Sequence, residues 1–145
     1  MVARRLIGSS TLRKSPLIII RSWINSSMSK QDSTIAFFMP GLYGGGAEDV
    51  ILKLAANFSR RSVNIDLVVV KDEGELKDRV PDEVNLVDLG AGRIATSFYS
   101  LFRYLRSKRP DILVSVLLPT NAVAILTKSV LKSRVPTIII EQNTT

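Results

Sequence analysis

Residues 34–58 read TIAFFMPGLYGGGAEDVILKLAANF, and this stretch decides the fold. It opens with an unbroken apolar run, Ile35 to Met39, that ends at Pro40-Gly41, the pattern of a parallel strand covered on both faces. A glycine-rich turn follows, and then apolar residues recur at three- and four-residue steps, which puts them on one helix face. These residues are Ala47, Val50, Ile51, Leu54, Ala55 and Phe58. The stretch predicts a buried strand followed by a helix packed on the sheet.

The same alternation continues to the end of the chain. Residues 71–83 carry acids, Gly74 and Pro81, and are predicted to be a solvated connection. Further strands are predicted at Ile65 to Val70, Val84 to Leu89, Ile112 to Val116 and Thr137 to Ile140. Two further helices are predicted from the apolar sets Ile94, Phe98, Leu101, Phe102, Leu105 and Val123, Leu126, Val130, Leu131. The fold class is therefore α/β: a Rossmann-like parallel sheet of five strands with helices on both faces.

The composition removes several kinds of chemistry. Hydrophobic residues make up 46% of the chain and charged residues 23%, the balance of a soluble globular protein. The chain has no cysteine and no histidine, which excludes disulfides, thiolate nucleophiles, imidazole metal sites and Ser-His-Asp catalysis. Carboxylates, hydroxyls, amides and backbone groups are left to act on a ligand.

The net charge of +7 is concentrated in the first residues. Residues 1–31 contain six basic residues and no acid, whereas residues 32–145 hold 14 basic and 13 acidic residues. A nearly neutral body argues against nucleic-acid binding. We expect residues 1–31 to be a disordered basic leader and residues 32–145 to be one domain. The leader is read as sequence upstream of an internal start at Met28, as an organellar transit peptide, or as a membrane-surface arm.

Three predicted turns lie where ligands bind in open parallel sheets, beyond the carboxyl ends of the strands. They are residues 40–48, 117–121 and 141–145. In the first, three consecutive glycines let backbone N–H groups approach an anion at a helix N-terminus, as a nucleotide diphosphate would require. The alternative is a loop that uses glycine only for its backbone conformation and close packing. Asn121 and Asn143 lie on the other two turns, where amides suit sugar hydroxyls, although Asn121 equally suits a helix cap.

Two familiar phosphate motifs are absent from the glycine turn. It lacks the Gly-Lys-Ser/Thr ending of a P-loop, and Asp49 stands where a dinucleotide fingerprint requires glycine or alanine. Asp72, after the second predicted strand, could serve as the ribose-binding acid of an NAD enzyme or simply be a loop acid. An NAD-dependent oxidoreductase is therefore kept as an alternative.

Four segments in order resemble the N-terminal domain of family 4 glycosyltransferases. They are Met39 to Glu48, Val50 to Ala55, Lys108 to Leu113 and Pro136 to Asn143, and the resemblance covers residues 34 to 145. It implies the N-terminal half of a GT-B fold, in which two Rossmann-like domains face each other across a cleft. It also implies that Gly44, Gly45 and Gly46 contact the donor's phosphates and sugar, and that transfer retains the anomeric configuration without a metal. Two departures are Asp49, where a basic residue is usual, and Gln142, where a histidine is usual.

The function expected from this resemblance is transfer of a hexose or N-acetylhexosamine from a nucleotide sugar to a saccharide or lipid-linked acceptor. Asn121, Gln142 and Asn143 are the expected acceptor contacts, and no catalytic residue is assigned. The nucleotide sugar is a co-substrate, and no cofactor is expected. We expect a cytoplasmic enzyme of polysaccharide biosynthesis at the inner membrane face, with the donor-binding domain missing and this part inactive by itself. The run Arg103, Arg106, Lys108 and Arg109 would face an anionic membrane or form a solvated helix end. The rival is a non-catalytic half-cleft binding module.

Overall fold

The computed structural model describes Ser22 and residues 33–61, 63–132 and 135–140. Strands and α-helices alternate along these residues, and a 3-10 helix, Glu75–Arg79, lies between the second and third strands. The strands are β1 Thr34–Met39, β2 Asn64–Val69, β3 Asn85–Asp88, β4 Ile112–Val116 and β5 Thr137–Ile140. The helices are α1 Gly46–Ser59, α2 Ser97–Lys108 and α3 Leu118–Leu131. Apart from Ser22, the predicted basic leader lies outside the described residues.

All five strands are parallel and form one sheet in the order β3-β2-β1-β4-β5. β1 is central, and its Phe37 is paired with Leu67 of β2 on one side and Val114 of β4 on the other. This is the strand order of a Rossmann half, in which the chain first builds outward from β1 and then returns to its other side. The predicted fold class is confirmed.

The core has two layers because alternate residues of each strand point to opposite faces of the sheet. On one face, Ile35, Phe37 and Met39 pack with the apolar side of α1. On the other face, Ala36 and Phe38 pack with α2 and α3. The β1 residues from Ile35 to Met39 have no exposed surface at all. Among the described helices, none has the length and apolar content that spanning a membrane requires.

The predicted apolar face of α3 is wrong in part. Leu126 and Val130 are 55% and 56% exposed, whereas Asn121 and Thr127 are buried with Ala124. The hydroxyl of Thr127 donates a hydrogen bond to the carbonyl of Val123, which satisfies it within its own helix. Small side chains with internal partners therefore face the sheet, and larger aliphatic ones face outward.

Asn121 is not a helix cap, because α3 already begins at Leu118 and its cap residue is Leu117. Leu117 has a positive φ of 76°, which is unusual for a residue other than glycine. The hydroxyl of Thr120 bonds back to the carbonyls of Val116 and Leu117 and closes this tight turn. These bonds are donated to carbonyls, so they do not satisfy the first amides of α3, and the helix has no side-chain cap.

One buried polar group joins the sheet to α2. Asp66 of β2 accepts a hydrogen bond from the Tyr104 hydroxyl at 2.5 Å and another from the Asn85 side-chain amide at 3.1 Å. Asp66 and Tyr104 are both buried. Burial and the hydrogen bond to Asp66 raise the pKa of the Tyr104 phenol above its ordinary value, because both disfavour a phenolate.

We expect Tyr104→Phe to lower the free energy of unfolding by about 1–3 kcal/mol, because it removes a donor from a buried carboxylate. The wild-type free energy of unfolding should also fall above about pH 10, where the unfolded phenol ionises while the folded one stays neutral, by about 1.4 kcal/mol per pH unit. Urea titrations at pH 7 and above pH 10 measure both effects. The control Tyr99→Phe, on an exposed ring, should change neither, and an equal loss in the two variants would contradict the role given to Tyr104.

Candidate functional site

The candidate site lies where the strand order reverses, between β1 and β4. Chain connections leave these neighbouring strands toward opposite faces of the sheet, which opens a crevice beyond their carboxyl ends. The glycine loop, which we define as residues 41–46, follows β1, and the turn 117–121 follows β4. Two of the three predicted turns therefore meet at one edge. Gln142 and Asn143 of the third turn lie outside the described residues.

The glycine loop ends in a helix start with free amides. Gly44 has a positive φ of 92°, Gly45 is the cap residue, and α1 begins at Gly46. The first hydrogen bond of the helix runs from the Asp49 amide to the Gly45 carbonyl, at 3.1 Å. The amides of Gly46, Ala47 and Glu48 form no hydrogen bond with any residue that the structure describes. Three donors and the positive end of the helix dipole are therefore available at the crevice.

The loop is held by the segment that follows β2. The Leu42 amide donates to the Glu73 carbonyl at 2.9 Å, and the Leu76 amide donates to the Leu42 carbonyl at 2.8 Å. This close approach requires Gly74, which has a φ of 125° and where a Cβ would collide with the Leu42 carbonyl. The Tyr43 hydroxyl adds a 2.7 Å hydrogen bond to Glu73, which lowers the pKa of that carboxyl. Sequence reasoning missed this support, although an isolated glycine in a polar stretch was a signal for it.

Two carboxylates lie beside the glycines. Glu48 is only 5% exposed, and its side chain folds back so that a Cβ on Gly45 would collide with its carboxylate. An Oε atom of Glu75 lies 3.4 Å from the Cβ position of Gly44, whereas the Cβ position of Gly46 has no neighbour within 4 Å. The helix start is thus partly screened by the chain's own negative charge, and the open approach is at Gly46.

The first turn of α1 carries a second acid that is neutralised. Asp49 forms ion pairs with Lys53 and Arg79, each at 2.8 Å. The hydrogen bond from Lys53 is the main cause that lowers the pKa of Asp49, and Arg79 adds to it. Asp72, the acid weighed for ribose binding, is paired with Lys77 at 3.0 Å. Both acids are therefore paired with cations of the chain, although Asp72 Oδ1 is buried without a hydrogen-bond partner.

In the second turn, Asn121 faces inward. It is 1% exposed, and its side-chain amide donates to the carbonyl of Ile140 at 3.0 Å. Its Oδ1 is buried without a hydrogen-bond partner, and so is the hydroxyl of Ser115 at the end of β4. One N–H of the amide is bonded to the main chain of β5, so the second N–H and Oδ1 remain for a ligand. Acceptor binding by Asn121 stays a prediction.

Metal chemistry has no visible support in this part of the chain. Among the described residues, no three His, Cys, Asp or Glu side chains are grouped so that they could hold a metal ion. Among the described residues, the polar groups at this edge of the sheet are the free amides of the helix start, the flanking carboxylates and Asn121.

The chain has no match among protein-family models and no match among curated proteins. Its fold is similar to that of MurG from Acinetobacter baumannii, with a TM-score of 0.54 and 16% identity. The match covers 77% of this chain and 34% of MurG, so the chain spans about a third of that protein's length. MurG is a GT-B glycosyltransferase, and the likeness shows that this chain has a Rossmann-like α/β fold similar to the matched part of MurG. The likeness to MurG does not show that this chain belongs to family 4 of the glycosyltransferases.

The geometry of the loop distinguishes two of its glycines. We expect Gly44→Ala to lower the free energy of unfolding by about 1–2 kcal/mol, since an alanine is strained at positive φ. Gly46→Ala should stay within about 0.5 kcal/mol of wild type, because a Cβ there meets nothing and alanine favours a helix. Urea unfolding of the two variants measures the difference. Equal losses would show that the loop has another conformation.

Proposed function

We propose that this chain is the acceptor-side, N-terminal half of a retaining glycosyltransferase of the family 4 type. The reaction would move a hexose or N-acetylhexosamine from a nucleotide sugar to a saccharide or lipid-linked acceptor, as in polysaccharide biosynthesis. The nucleotide sugar would be the co-substrate, with no other cofactor. The observation that carries the proposal is the set of free amides at Gly46, Ala47 and Glu48, placed at the switch point of a sheet with a GT-B fold.

A nucleotide sugar suits this edge for a physical reason. Its diphosphate is an anion that a helix N-terminus attracts through free N–H groups and the helix dipole. Its sugar carries hydroxyls, which both donate and accept hydrogen bonds and so can pair with carboxylates and with amides. The free amides begin at Gly46, and the carboxylates of Glu48 and Glu75 lie beside Gly45 and Gly44 in space.

The Glu48 carboxylate lies beside Gly45. We therefore assign the diphosphate and the sugar of the donor to different ends of the glycine loop. A phosphate beside the Glu48 carboxylate would be repelled by about 4 kcal/mol at 4 Å in a partly wet site. We therefore assign the phosphate to the Gly46 side, where the approach is open, and a sugar hydroxyl to the Gly45 side, where it would donate a hydrogen bond to Glu48. Asn121 Oδ1, with Gln142 and Asn143, is proposed to face the acceptor.

A non-catalytic half-cleft binding module remains the second candidate, because the match covers only part of MurG. The chain spans 34% of MurG, and catalysis between two domains needs both walls to position and stabilise the reacting groups. A cytoplasmic location at the inner membrane face belongs to the first proposal and would follow from a lipid-linked acceptor.

The test is a nuclear magnetic resonance titration of the 145-residue chain with UDP, ADP and GDP. We expect the amide resonances of Gly44, Gly45 and Gly46 to shift with one of them, with a Kd of about 1 mM because one wall of the cleft acts alone. Gly46→Ala should weaken this binding by about tenfold, and the matched control Gly92→Ala, another open glycine, should not. Absence of any shift at the loop with all three nucleotides would refute the proposal.

A second variant tests whether the diphosphate and the sugar bind at different ends of the glycine loop. We expect Glu48→Gln to tighten diphosphate binding by about tenfold or more, because it removes a negative charge while keeping the size of the side chain. The same titration measures it, with Glu75→Gln as a weaker second case. If Glu48→Gln loosens diphosphate binding instead, the Glu48 charge does not repel the phosphate, and the division of the glycine loop between phosphate and sugar is wrong.

A further inference from the structure

Tyr43 is the aromatic residue of the glycine loop, and it is 49% exposed although its hydroxyl is already hydrogen-bonded. Its ring occupies the space that a side chain at position 41 would take, since a Cβ on Gly41 would lie 2.5 Å from the Cε2 atom of the ring. The glycine at position 41 therefore lets the ring lie against the backbone of the loop. About half of the Tyr43 surface is left open to solvent at the sheet edge.

The Tyr43 side chain is held from both ends. At its base, the neighbouring Leu42 is hydrogen-bonded through its amide and its carbonyl to the segment that follows β2. At its tip, the hydroxyl donates to Glu73 at 2.7 Å, and Lys71 is paired with the same carboxylate at 3.2 Å. The hydrogen bond to Glu73 raises the pKa of the Tyr43 phenol, so the ring stays neutral. A side chain that is ordered in advance loses little freedom when a ligand binds to it.

The exposed part of the ring has no stacking partner within the described chain. There, ring and cation–π contacts join Phe98 to Phe102 and Arg103 to Tyr99, and none of them involves Tyr43. The open surface of a fixed aromatic ring is available to a ligand that has an apolar face of its own.

The polar side chains beside the ring are carboxylates. Glu73 binds the hydroxyl, and an Oε atom of Glu75 lies 3.4 Å from the Cβ position of Gly44, the residue that follows Tyr43. Glu75 forms no ion pair with any described residue. An ionised carboxylate only accepts hydrogen bonds. A ligand that stacks on Tyr43 should therefore carry hydrogen-bond donors around its rim.

A pyranose ring meets both requirements. Its axial C–H groups form an apolar face, whose partial positive charge suits the negative face of an aromatic ring. Its hydroxyls point outward around the ring and can donate to carboxylates. A nucleobase also stacks on aromatic side chains, but the acceptor atoms on its edges would face the carboxylates without a partner. The surroundings of Tyr43 therefore favour a sugar over a base.

We propose that Tyr43 is the stacking platform of a subsite that binds one pyranose ring, with a sugar hydroxyl donating to Glu75. The subsite lies between the glycine loop and the segment after β2, whereas Asn121 lies after β4. It is therefore separate from the acceptor contacts proposed above. The inference rests on the proposed function in one respect, since it takes the ligand of the crevice to be a saccharide.

The test is a nuclear magnetic resonance titration of the 145-residue chain with methyl β-D-glucopyranoside, following the ring signals of its three tyrosines. We expect the Tyr43 ring signals to shift, and the signals of Tyr99, an exposed tyrosine on α2, to stay in place. Sorbitol carries similar hydroxyls on an open chain without a ring face, and it should leave Tyr43 unchanged. Equal shifts with sorbitol and the pyranoside would overturn the proposal.

Substitutions separate the aromatic face from simple bulk. We expect Tyr43→Leu to weaken pyranoside binding by about tenfold, because it removes the π face, and Tyr43→Phe by no more than about threefold, because it keeps the ring. Tyr99→Leu is the matched control and should change nothing. Binding by Tyr43→Leu as tight as that of the wild type would overturn the proposal.

Glu75→Ala supplies a readout that damage to the loop would not give. Loss of this carboxylate should weaken pyranoside binding several-fold, because a sugar hydroxyl loses its acceptor, while diphosphate binding stays the same or becomes tighter. Weakening of both ligands together would show that the variant disturbs the loop and that Glu75 is no sugar contact, which would overturn its assigned role.

Titration with UDP, ADP and GDP separates failure of this inference from failure of the proposed function. Nucleotide shifts at Gly44, Gly45 and Gly46 without a pyranoside shift at Tyr43 would overturn the subsite and leave the proposed function standing. A pyranoside shift at Tyr43 without any nucleotide shift would support the subsite and refute the proposed function. A larger response of the Tyr43 ring to uridine or adenosine than to the pyranoside would assign the platform to a nucleobase and overturn the proposal.

Discussion

The complete burial of β1 is the constraint on which the rest of the structure depends. β1 is hydrogen-bonded to a strand on each side, and helices cover both of its faces. A strand in that position must be apolar on both faces, and Ile35 to Met39 satisfies this without exception. Its carboxyl end is then fixed at the centre of the sheet edge. The glycine loop lies at the switch point because β1 is central.

The sequence predicts best what local patterns determine. The predicted bounds of β4 and β5 equal the observed ones, because both are short apolar runs flanked by proline or charged residues. The face of α3 was wrong, because a count of apolar residues overlooks Thr127 and Asn121, whose polar groups find partners within the helix or on β5. The bracing of Leu42 by Glu73 and Leu76 joins segments more than thirty residues apart, and no local pattern encodes it. The same applies to the folding of Glu48 back over Gly45, which depends on a rotamer.

The two sides of the domain differ in how they handle charge. Around the glycine loop, Asp49 is paired with Lys53 and Arg79, whereas Glu48 and Glu75 form no ion pair with any described residue. These groups can bind a polyhydroxylated ligand through directed hydrogen bonds, and they attract anions only weakly at long range. Around α2 and α3 the cations have no acidic partner among the described residues, so attraction there acts at longer range and depends on ionic strength. The domain thus has hydrogen-bonding groups that act at short range at the sheet edge. The cations of α2 and α3 attract anions at longer range.

The bond between Asn121 and Ile140 gives α3 a mechanical connection to the sheet edge. One buried amide ties the first turn of the helix to the last residue of β5, and no water competes for it because Asn121 is almost fully covered. A force that tilts α3 from outside would therefore pull on the point where the chain leaves β5. The start of α3 lies beside the crevice. A tilt of the helix would therefore change the distance between the glycine loop and residues 117–121.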